Sequence, residues 1–197
     1  MLRACIATSG LALLVVVTAV ATDDFPDYPL RAPQECAVHA TKDEIFVGAQ
    51  PLENAVDQKT YFKTNVAHLG FVPVFVVIHN GSNESSFLFD KSAVSYGSAS
   101  VLDTPKAKSK TGEVLGLSVI PYAGIFAAAK VMKGASQIQQ NLVKKELRST
   151  TLSPGASTCG FLYVPPVQKD GSIEGLRLRV ALTRSGADQP TILELDF

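Results

Sequence analysis

The sequence predicts a mainly β domain, an antiparallel β-sandwich of seven to eight strands with a helical insertion and one connector helix. Three observations predict it. Short runs of β-branched and aromatic residues recur along the chain, turn residues separate them, and two late runs alternate strictly between apolar and polar residues. This pattern is typical of two antiparallel sheets that share one core.

The first two strands are predicted to form a hairpin. The runs CAVHA and EIFVGAQPL are rich in strand-forming residues, and Thr41, Lys42 and Asp43 form a turn between them. The period then changes over residues 54–69, where apolar residues recur at helical spacing. Gly70 stands where a glycine commonly ends a helix, so we expect an amphipathic helix of about four turns that packs on a sheet.

A central strand is predicted over residues 71–78. Seven of these eight residues are Val, Ile or Phe, which indicates that both faces of the strand are buried. Pro73 lies near its start, where a missing backbone donor costs least. Asn80 and Gly81 follow as a predicted tight hairpin turn, and one or two further strands are expected over residues 87–96.

The second half of the chain adds a second amphipathic helix and three strands. Ile138 and Leu142 define the apolar side of this helix, with the stem of Lys145 packed beside them. STCGFLYV is the next predicted strand. EGLRLRVALTR then alternates cleanly, and TILELDF is expected to pair with it across a turn.

The N-terminus has the pattern of a secretory signal peptide over residues 1–21. Arg3 gives a positive start, residues 11–20 form an apolar run, and Ala-Val-Ala precedes Thr22. The alternative is a retained membrane anchor. We expect an exported protein, periplasmic or secreted, with an extended leader over residues 22–34. A single domain then covers residues 35–197, with its helical insertion at about 98–148.

Two cysteines remain after removal of the signal peptide, Cys36 and Cys159. An even pair in an exported chain permits a disulfide. The alternative is two separate buried thiols, which cysteine tolerates well.

Residues 113–134 form a nearly uncharged stretch, and the 16 uncharged residues within it, 114–129, are fewer than the ~20 needed to cross a bilayer. Pro121 interrupts it, so two short helical pieces are expected rather than one helix. The stretch either packs as a hairpin on the sandwich or docks on a membrane or an apolar partner. The candidate contact residues are Leu115, Leu117, Ile120, Tyr122, Ile125 and Phe126.

Two motifs together resemble a known group of domains. The strand VPVFVVIHNGSN and the later TLSPGASTCGFLYV resemble the small immunoglobulin-like sandwich modules of exported bacterial proteins of unknown function. They are also distantly similar to the sandwich of the water-stress late-embryogenesis-abundant proteins. The resemblance covers residues 35–197 apart from the insertion, rests on Leu152, Pro154, Gly155, Gly160 and Phe161, and implies a fold without catalytic residues.

No residue pattern indicates a reaction. His39, His68 and His79 are scattered, no two potential ligands stand at metal-binding spacing, and neither a G-x-S-x-G elbow nor a G-K-[ST] phosphate loop occurs. Zero net charge argues against nucleic-acid binding. We therefore expect a non-enzymatic envelope module with no cofactor and no metal, whose partner is a protein or a membrane surface. Two N-x-S sequons, at Asn80 and Asn83, lie on the predicted exposed turn.

Overall fold

The structure, a computed structural model, describes residues 25–98, 120–121, 136–168 and 172–197. Within these ranges the chain forms ten strands and two α-helices. The strands are β1 (Val38–Lys42), β2 (Ile45–Pro51), β3 (Val72–Asn80), β4 (Phe87–Phe89), β5 (Ser95–Ser98), β6 (Ile120–Pro121), β7 (Thr150–Leu152), β8 (Ser157–Val164), β9 (Leu176–Arg184) and β10 (Thr191–Asp196). The helices are α1 (Ala55–Phe62) and α2 (Ser136–Lys145).

The strands form two antiparallel sheets, which confirms the predicted mainly β class. Sheet A has the order β1-β2-β3-β8. In sheet B, β10 lies along one side of β9, while β4 and β5 follow one another along its other side. Strand β7 pairs with β4, and β6 pairs with β5.

Two apolar clusters connect three layers, which are sheet B, sheet A and the helices on the outer face of sheet A. The first fills the space between the sheets and includes Val76 of β3 and Leu178 of β9. The second covers the other face of sheet A, where Phe75 of β3 meets Phe62 of α1 and Leu142 of α2. Each fully buried side chain of this size contributes about 1.5–3 kcal/mol relative to exposure. The outer face of sheet A is therefore a second packing surface, and it positions the candidate site described below.

The strand predictions that depend on local periodicity are confirmed. Eight of the nine residues of β3 are buried, as expected for a central strand with neighbours on both edges and layers on both faces. Along β9 every second residue from Leu176 to Leu182 is buried. Strand β10 pairs with β9 as predicted, and β1 pairs with β2.

Of the two predicted hairpin turns, the one between β1 and β2 forms, one residue beyond Lys42, and the one at Asn80-Gly81 does not. Asp43 (φ 49°) and Glu44 (φ 65°) both adopt left-handed backbone in the two-residue loop between β1 and β2. Asn80 instead ends β3, and the chain then crosses to sheet B. Because β3 and β4 lie in different sheets, Asn80 and Gly81 do not connect a hairpin. A Cβ atom on Gly81 would lie 2.6 Å from a ring carbon of Phe46, so Gly81 permits close packing there.

The connector helix is shorter than predicted. Helix α1 ends where Lys63 adopts a left-handed conformation (φ 57°), and a separate 3₁₀ turn follows at Val66–Leu69. The side chain of Asn65 accepts a hydrogen bond from the amide of Ala67, which begins the second turn and competes with a continuous helix. Gly70 ends this turn with φ 83°, as the sequence predicted.

A buried glutamine links helix α1 to the 3₁₀ turn that follows it. Gln58 is fully buried, and its side-chain oxygen accepts from the amide of Ala67 while its nitrogen donates to the carbonyl of Leu52. Helix α2 agrees better with its prediction. Leu142 is buried, Ile138 is half-buried, and only 7% of the Lys145 side chain is exposed.

Most of the predicted insertion lies outside the described residues. Of its candidate contact residues, only Ile120 falls within them, and the other five (Leu115, Leu117, Tyr122, Ile125 and Phe126) do not. Ile120 and Pro121 form β6, which pairs with Tyr96 and Ser95 at the edge of sheet B. This strand lies at the predicted break at Pro121, and the two helical pieces expected on either side of it lie outside the described residues. The predicted signal peptide, residues 1–21, also lies outside the described part of the chain.

The sequons are not equivalent. Asn80 is fully buried, and the two N–H groups of its side-chain nitrogen are shared among three carbonyl oxygens, those of Ser85, Leu152 and Ser153. Its oxygen accepts from the amide of Ser82 at 3.0 Å. Asn83, three residues later, is exposed. The expectation that both sequons lie on an exposed turn is therefore wrong for Asn80, whose side chain joins the two sheets.

Candidate ligand groove on the outer face of sheet A

The segment before β1 crosses the outer face of sheet A. We call residues 25–37 the strap. It contains one short 3₁₀ turn, Pro33–Glu35, and otherwise has no regular secondary structure. The sequence predicted an extended leader over residues 22–34, and the described part of that leader packs against the domain.

Aromatic packing holds the centre of the strap. The Tyr28 ring lies 4.7 Å from that of Phe75, 5.0 Å from that of Tyr61 and 5.5 Å from that of Phe161, measured between centroids. Aromatic pairs in this range contribute about 0.5–1.5 kcal/mol each beyond their burial. Because Phe75 and Phe161 face each other across β3 and β8, Tyr28 anchors the strap to the middle of sheet A.

Backbone contacts hold the two ends of the strap. The ammonium of Lys145 donates to the carbonyl of Pro26 and lies 3.5 Å from the carboxylate of Asp27. At the other end, Pro33 crosses directly over Gly48 of β2. A Cβ atom on Gly48 would lie 2.3 Å from the Pro33 carbonyl oxygen, so only glycine permits this approach.

A groove of about 540 Å³ lies between the strap and the sheet. We call it the strap groove. The strap forms one wall with residues 30–34, and the opposite side is lined by Phe46, Val77, His79 and Ser157. Its volume is within the range of small-ligand pockets, about 300–1,000 Å³.

His79 and Ser157 form a hydrogen-bonded pair in this groove. They are direct cross-strand partners on β3 and β8, and Nδ1 of His79 lies 2.9 Å from Oγ of Ser157. The ring of Phe46 stacks obliquely beside His79, with 5.8 Å between centroids. Polar and aromatic groups therefore meet at one end of the groove.

The distance between His79 and Ser157 is that of a nucleophile and its base, but the third member of a catalytic triad is not seen among the described residues. In a triad the second imidazole nitrogen donates to a carboxylate that orients the ring. Among the residues that the structure describes, no carboxylate hydrogen-bonds to His79. Ser157 begins an edge strand and is exposed, so water reaches it freely. The pair therefore presents a hydroxyl and an imidazole to the groove as hydrogen-bonding groups.

Arg31 lines the groove, but its guanidinium lies over the ring of Tyr28, which is not part of the groove lining. Its guanidinium carbon lies 5.8 Å from the centre of the Tyr28 ring, a cation–π distance. The nearby carboxylate of Glu35 accepts a hydrogen bond from the amide of Ala32. Within the described ranges no carboxylate forms an ion pair with Arg31, and the groove lining contains no acidic residue.

The two cysteines are free thiols, so the candidate disulfide is not formed in this structure. Cys36 is buried at the end of the strap, in the cluster that covers sheet A. Cys159 is exposed on β8, in a second groove of about 320 Å³ on the other side of the strap. Burial raises the pKa of both thiols, and the Asp27 carboxylate raises that of Cys159 further.

The remaining histidines lie apart from the groove. His39 is on β1 and His68 is in the 3₁₀ turn before Gly70, while only His79 lines the cavity. Three or more His, Cys, Asp or Glu side chains do not come together as a metal site anywhere in the described ranges. No described helix has both the length and the apolar character to span a membrane.

Sequence reasoning missed the groove because none of its parts is unusual alone. The sequence places Ser157 in a predicted strand and His79 directly after another, and the two are 78 residues apart in the chain. Only the register of β3 against β8 brings them together. Pro33 in the strap is a local signal that could have indicated a close approach to the sheet. The sequence does not indicate which glycine lies beneath Pro33.

Comparison with known proteins finds no match, whether with family models, with curated proteins or with solved structures. The geometry of the chain is therefore the basis of the functional proposal.

Proposed function

We propose that the protein is an exported envelope module, periplasmic or secreted, that acts without catalysis by binding a protein partner at the strap groove. The observation that carries this proposal is the groove itself. Its wall is a segment anchored by Tyr28 and Lys145, and its lining combines polar groups with exposed apolar surface. Concave sites with a few convergent polar groups are the usual form of a binding site.

The exposed apolar surface lies next to the polar groups. Leu30, at the crest of the strap, is 72% exposed and lines the grooves on both sides. Leu30 therefore adds exposed apolar surface to the rim of the groove, beside its polar groups.

We also propose that the sandwich is immunoglobulin-like. The shared core between the two antiparallel sheets and the alternating burial along β9 support this proposal. Many cell-surface modules use such sandwiches as frames for contacts made by loops and edges, which agrees with the signal-peptide pattern of residues 1–21.

Site-specific photo-crosslinking in the cells that export the protein tests this function. A photoreactive residue at Leu30 is expected to give one discrete adduct, and the protein is expected to lack residues 1–21. The matched control is Leu88, which is 48% exposed on sheet B and is expected to give none. Equal labelling from both positions, or retention in the cytoplasm, contradicts the proposal. So does a saturable hydrolytic activity that Ser157→Ala abolishes.

A second candidate function is membrane association through residues 113–134. Its support is the uncharged run at residues 114–129 of this stretch, which Lys130 and Lys133 follow. Liposome flotation of the exported protein, with and without this stretch, separates the two functions. Flotation of the intact protein alone favours membrane association, and flotation of neither favours the groove.

A further inference from the structure

Strand β8 is an edge of sheet A, and its hydrogen bonds show which of its backbone groups face away from the sheet. Opposed residues of antiparallel strands alternate between pairs that exchange backbone hydrogen bonds and pairs that do not. The amide of Asn80 donates to the carbonyl of Ala156 at the next position of the β3–β8 register, so the even-numbered residues of β8 bond to β3. The backbone groups of Ser157, Cys159 and Phe161 therefore point away from β3.

The edge is covered at Phe161 and open before it. The carbonyl of Phe161 accepts a hydrogen bond from the amide of Leu147 at 2.9 Å. Ser157 and Cys159 are exposed, and within the described part of the chain no group bonds to their backbone amides or carbonyls. We call residues 157–159 the open edge. Proteins usually protect such an edge with proline or charged residues, and the sequence Ser-Thr-Cys has neither.

The side chains of the open edge adjoin the grooves on the two sides of the strap. Cys159 is the direct partner of Val77, which belongs to the cluster on the outer face of sheet A, so both side chains project from that face. Ser157, two residues away, projects from the same face. Ser157 lines the strap groove, Cys159 lines the second groove, and Leu30 lines both. A strand added to this edge therefore places alternate side chains beside the two grooves.

We propose that the protein partner binds by strand addition, with an extended segment of the partner paired antiparallel to the open edge; this inference rests on the proposed function. Antiparallel pairing lets Ser157 and Cys159 each exchange two backbone hydrogen bonds with the segment. The two segment residues opposite them are apolar, because their side chains lie beside Leu30 and replace water there. The segment residue between these two, opposite Thr158, projects from the other face.

A segment of another protein fits this edge better than a second copy of the chain. If two copies paired antiparallel about Thr158, Gly155 of one copy would stand opposite Phe161 of the other. Leu147 already occupies that position through its hydrogen bond to Phe161. An extended segment needs only the positions opposite residues 157–159.

Amide hydrogen exchange of the exported protein, followed by NMR, tests the open edge. In the free protein we expect protection factors at Ser157 and Cys159 at least about tenfold lower than at Thr158 and Gly160, whose amides bond to β3. The probe is the peptide acetyl-Thr-Val-Thr-Val-Thr-amide at millimolar concentration. It is expected to slow exchange at Ser157 and Cys159 at least about fivefold. Strong protection of these two amides in the free protein, or no effect of the peptide on them, overturns the proposal.

Two methylated forms of the peptide test the pairing itself. N-methylation of both valines removes the donors that face β8, whereas N-methylation of the central threonine removes a donor that faces away from it. We expect the first peptide to give no protection and the second to protect as the parent peptide does. Any other order of the three peptides contradicts strand addition.

A proline variant assigns the effect to the open edge. Cys159→Pro removes an outward amide without removing a bond to β3, and we expect it to abolish both the protection by the peptide and the adduct formed from Leu30. The matched control is His39→Pro on β1, at the opposite edge of sheet A. Because the amide of Leu52 donates to the carbonyl of Pro73, the same alternation points the His39 amide away from β2. The control is expected to keep both effects.

The outcomes separate this inference from the proposed function. A Leu30 adduct that persists in folded Cys159→Pro leaves the proposed function standing and removes this inference. Alternating protection by the peptides without any adduct from Leu30 does the reverse. A doubled molecular mass in solution that Cys159→Pro reverses indicates pairing of two copies and overturns the proposal. The peptide comparison needs no variant, so it decides the inference even where Cys159→Pro does not fold.

Discussion

The side-chain amide of Asn80, at the end of β3 in sheet A, donates a hydrogen bond to the carbonyl of Leu152 in β7 of sheet B, at 3.1 Å. The same nitrogen also bonds to the carbonyls of Ser85 and Ser153. A single fully buried carboxamide thus joins the two sheets at the point where the chain passes from one to the other.

We expect Asn80→Ala to lower the free energy of unfolding by about 3 kcal/mol, because three carbonyl oxygens and the Ser82 amide lose a buried partner. Urea denaturation measures the loss. The control is Asn83→Ala at the neighbouring exposed sequon, which should change stability by less than about 0.5 kcal/mol. Similar losses for both variants would show that Asn80 does not have this role.

The Asp43-Glu44 turn predicts a stabilising substitution. Glu44→Gly removes the cost of a side chain at φ 65°, and we expect stability to rise by about 0.5–1 kcal/mol. Asp43 is left in place because its carboxylate accepts a hydrogen bond from Thr191. Thermal melting measures the gain. Glu84→Gly, at an exposed glutamate without left-handed backbone, is the control and should not stabilise the protein.

The strap predicts a local effect of Tyr28. Tyr28→Ala removes three aromatic contacts, and we expect a loss of about 2 kcal/mol together with release of the strap. Release exposes the Cys36 thiol, so its reaction with a thiol reagent should accelerate at least about tenfold. Tyr28→Phe keeps the ring and should leave the Cys36 rate unchanged. An unchanged rate in Tyr28→Ala would mean that the strap is held elsewhere.

The two thiols should differ in reactivity and in pH dependence. In the native exported protein we expect Cys159 to react and Cys36 to react only on unfolding, because one is exposed and the other buried. Burial raises the pKa of the Cys159 thiol, so the reactive thiolate is scarce at neutral pH. Its rate should therefore keep rising as the pH passes the ordinary thiol range near ~8.5.

Mass spectrometry after alkylation of both sites is the direct measurement. Two labels on the denatured, unreduced protein agree with two free thiols. No label before reduction, and two afterwards, would instead show a disulfide and contradict the structure.

Much of the fold could be predicted because its signals are local. The apolar run of β3, the alternation of β9 and the pairing of β9 with β10 depend on residues within one strand or one short turn. The errors occur where two local preferences compete. Asn65 could lie within a helix or begin one, and Gly81 could form a turn or allow close packing; in each case a contact from elsewhere in the chain determines the result.

The candidate site could not be predicted because its parts lie far apart in the chain. Arg31 comes from the strap, Phe46 from β2, His79 from β3 and Ser157 from β8. Residue type and spacing predict the strands, because the burial of each strand follows from the pattern of apolar residues within it. The groove exists because Pro33 passes over Gly48 and because β3 and β8 pair in one register, and both are long-range contacts that form only when the layers pack.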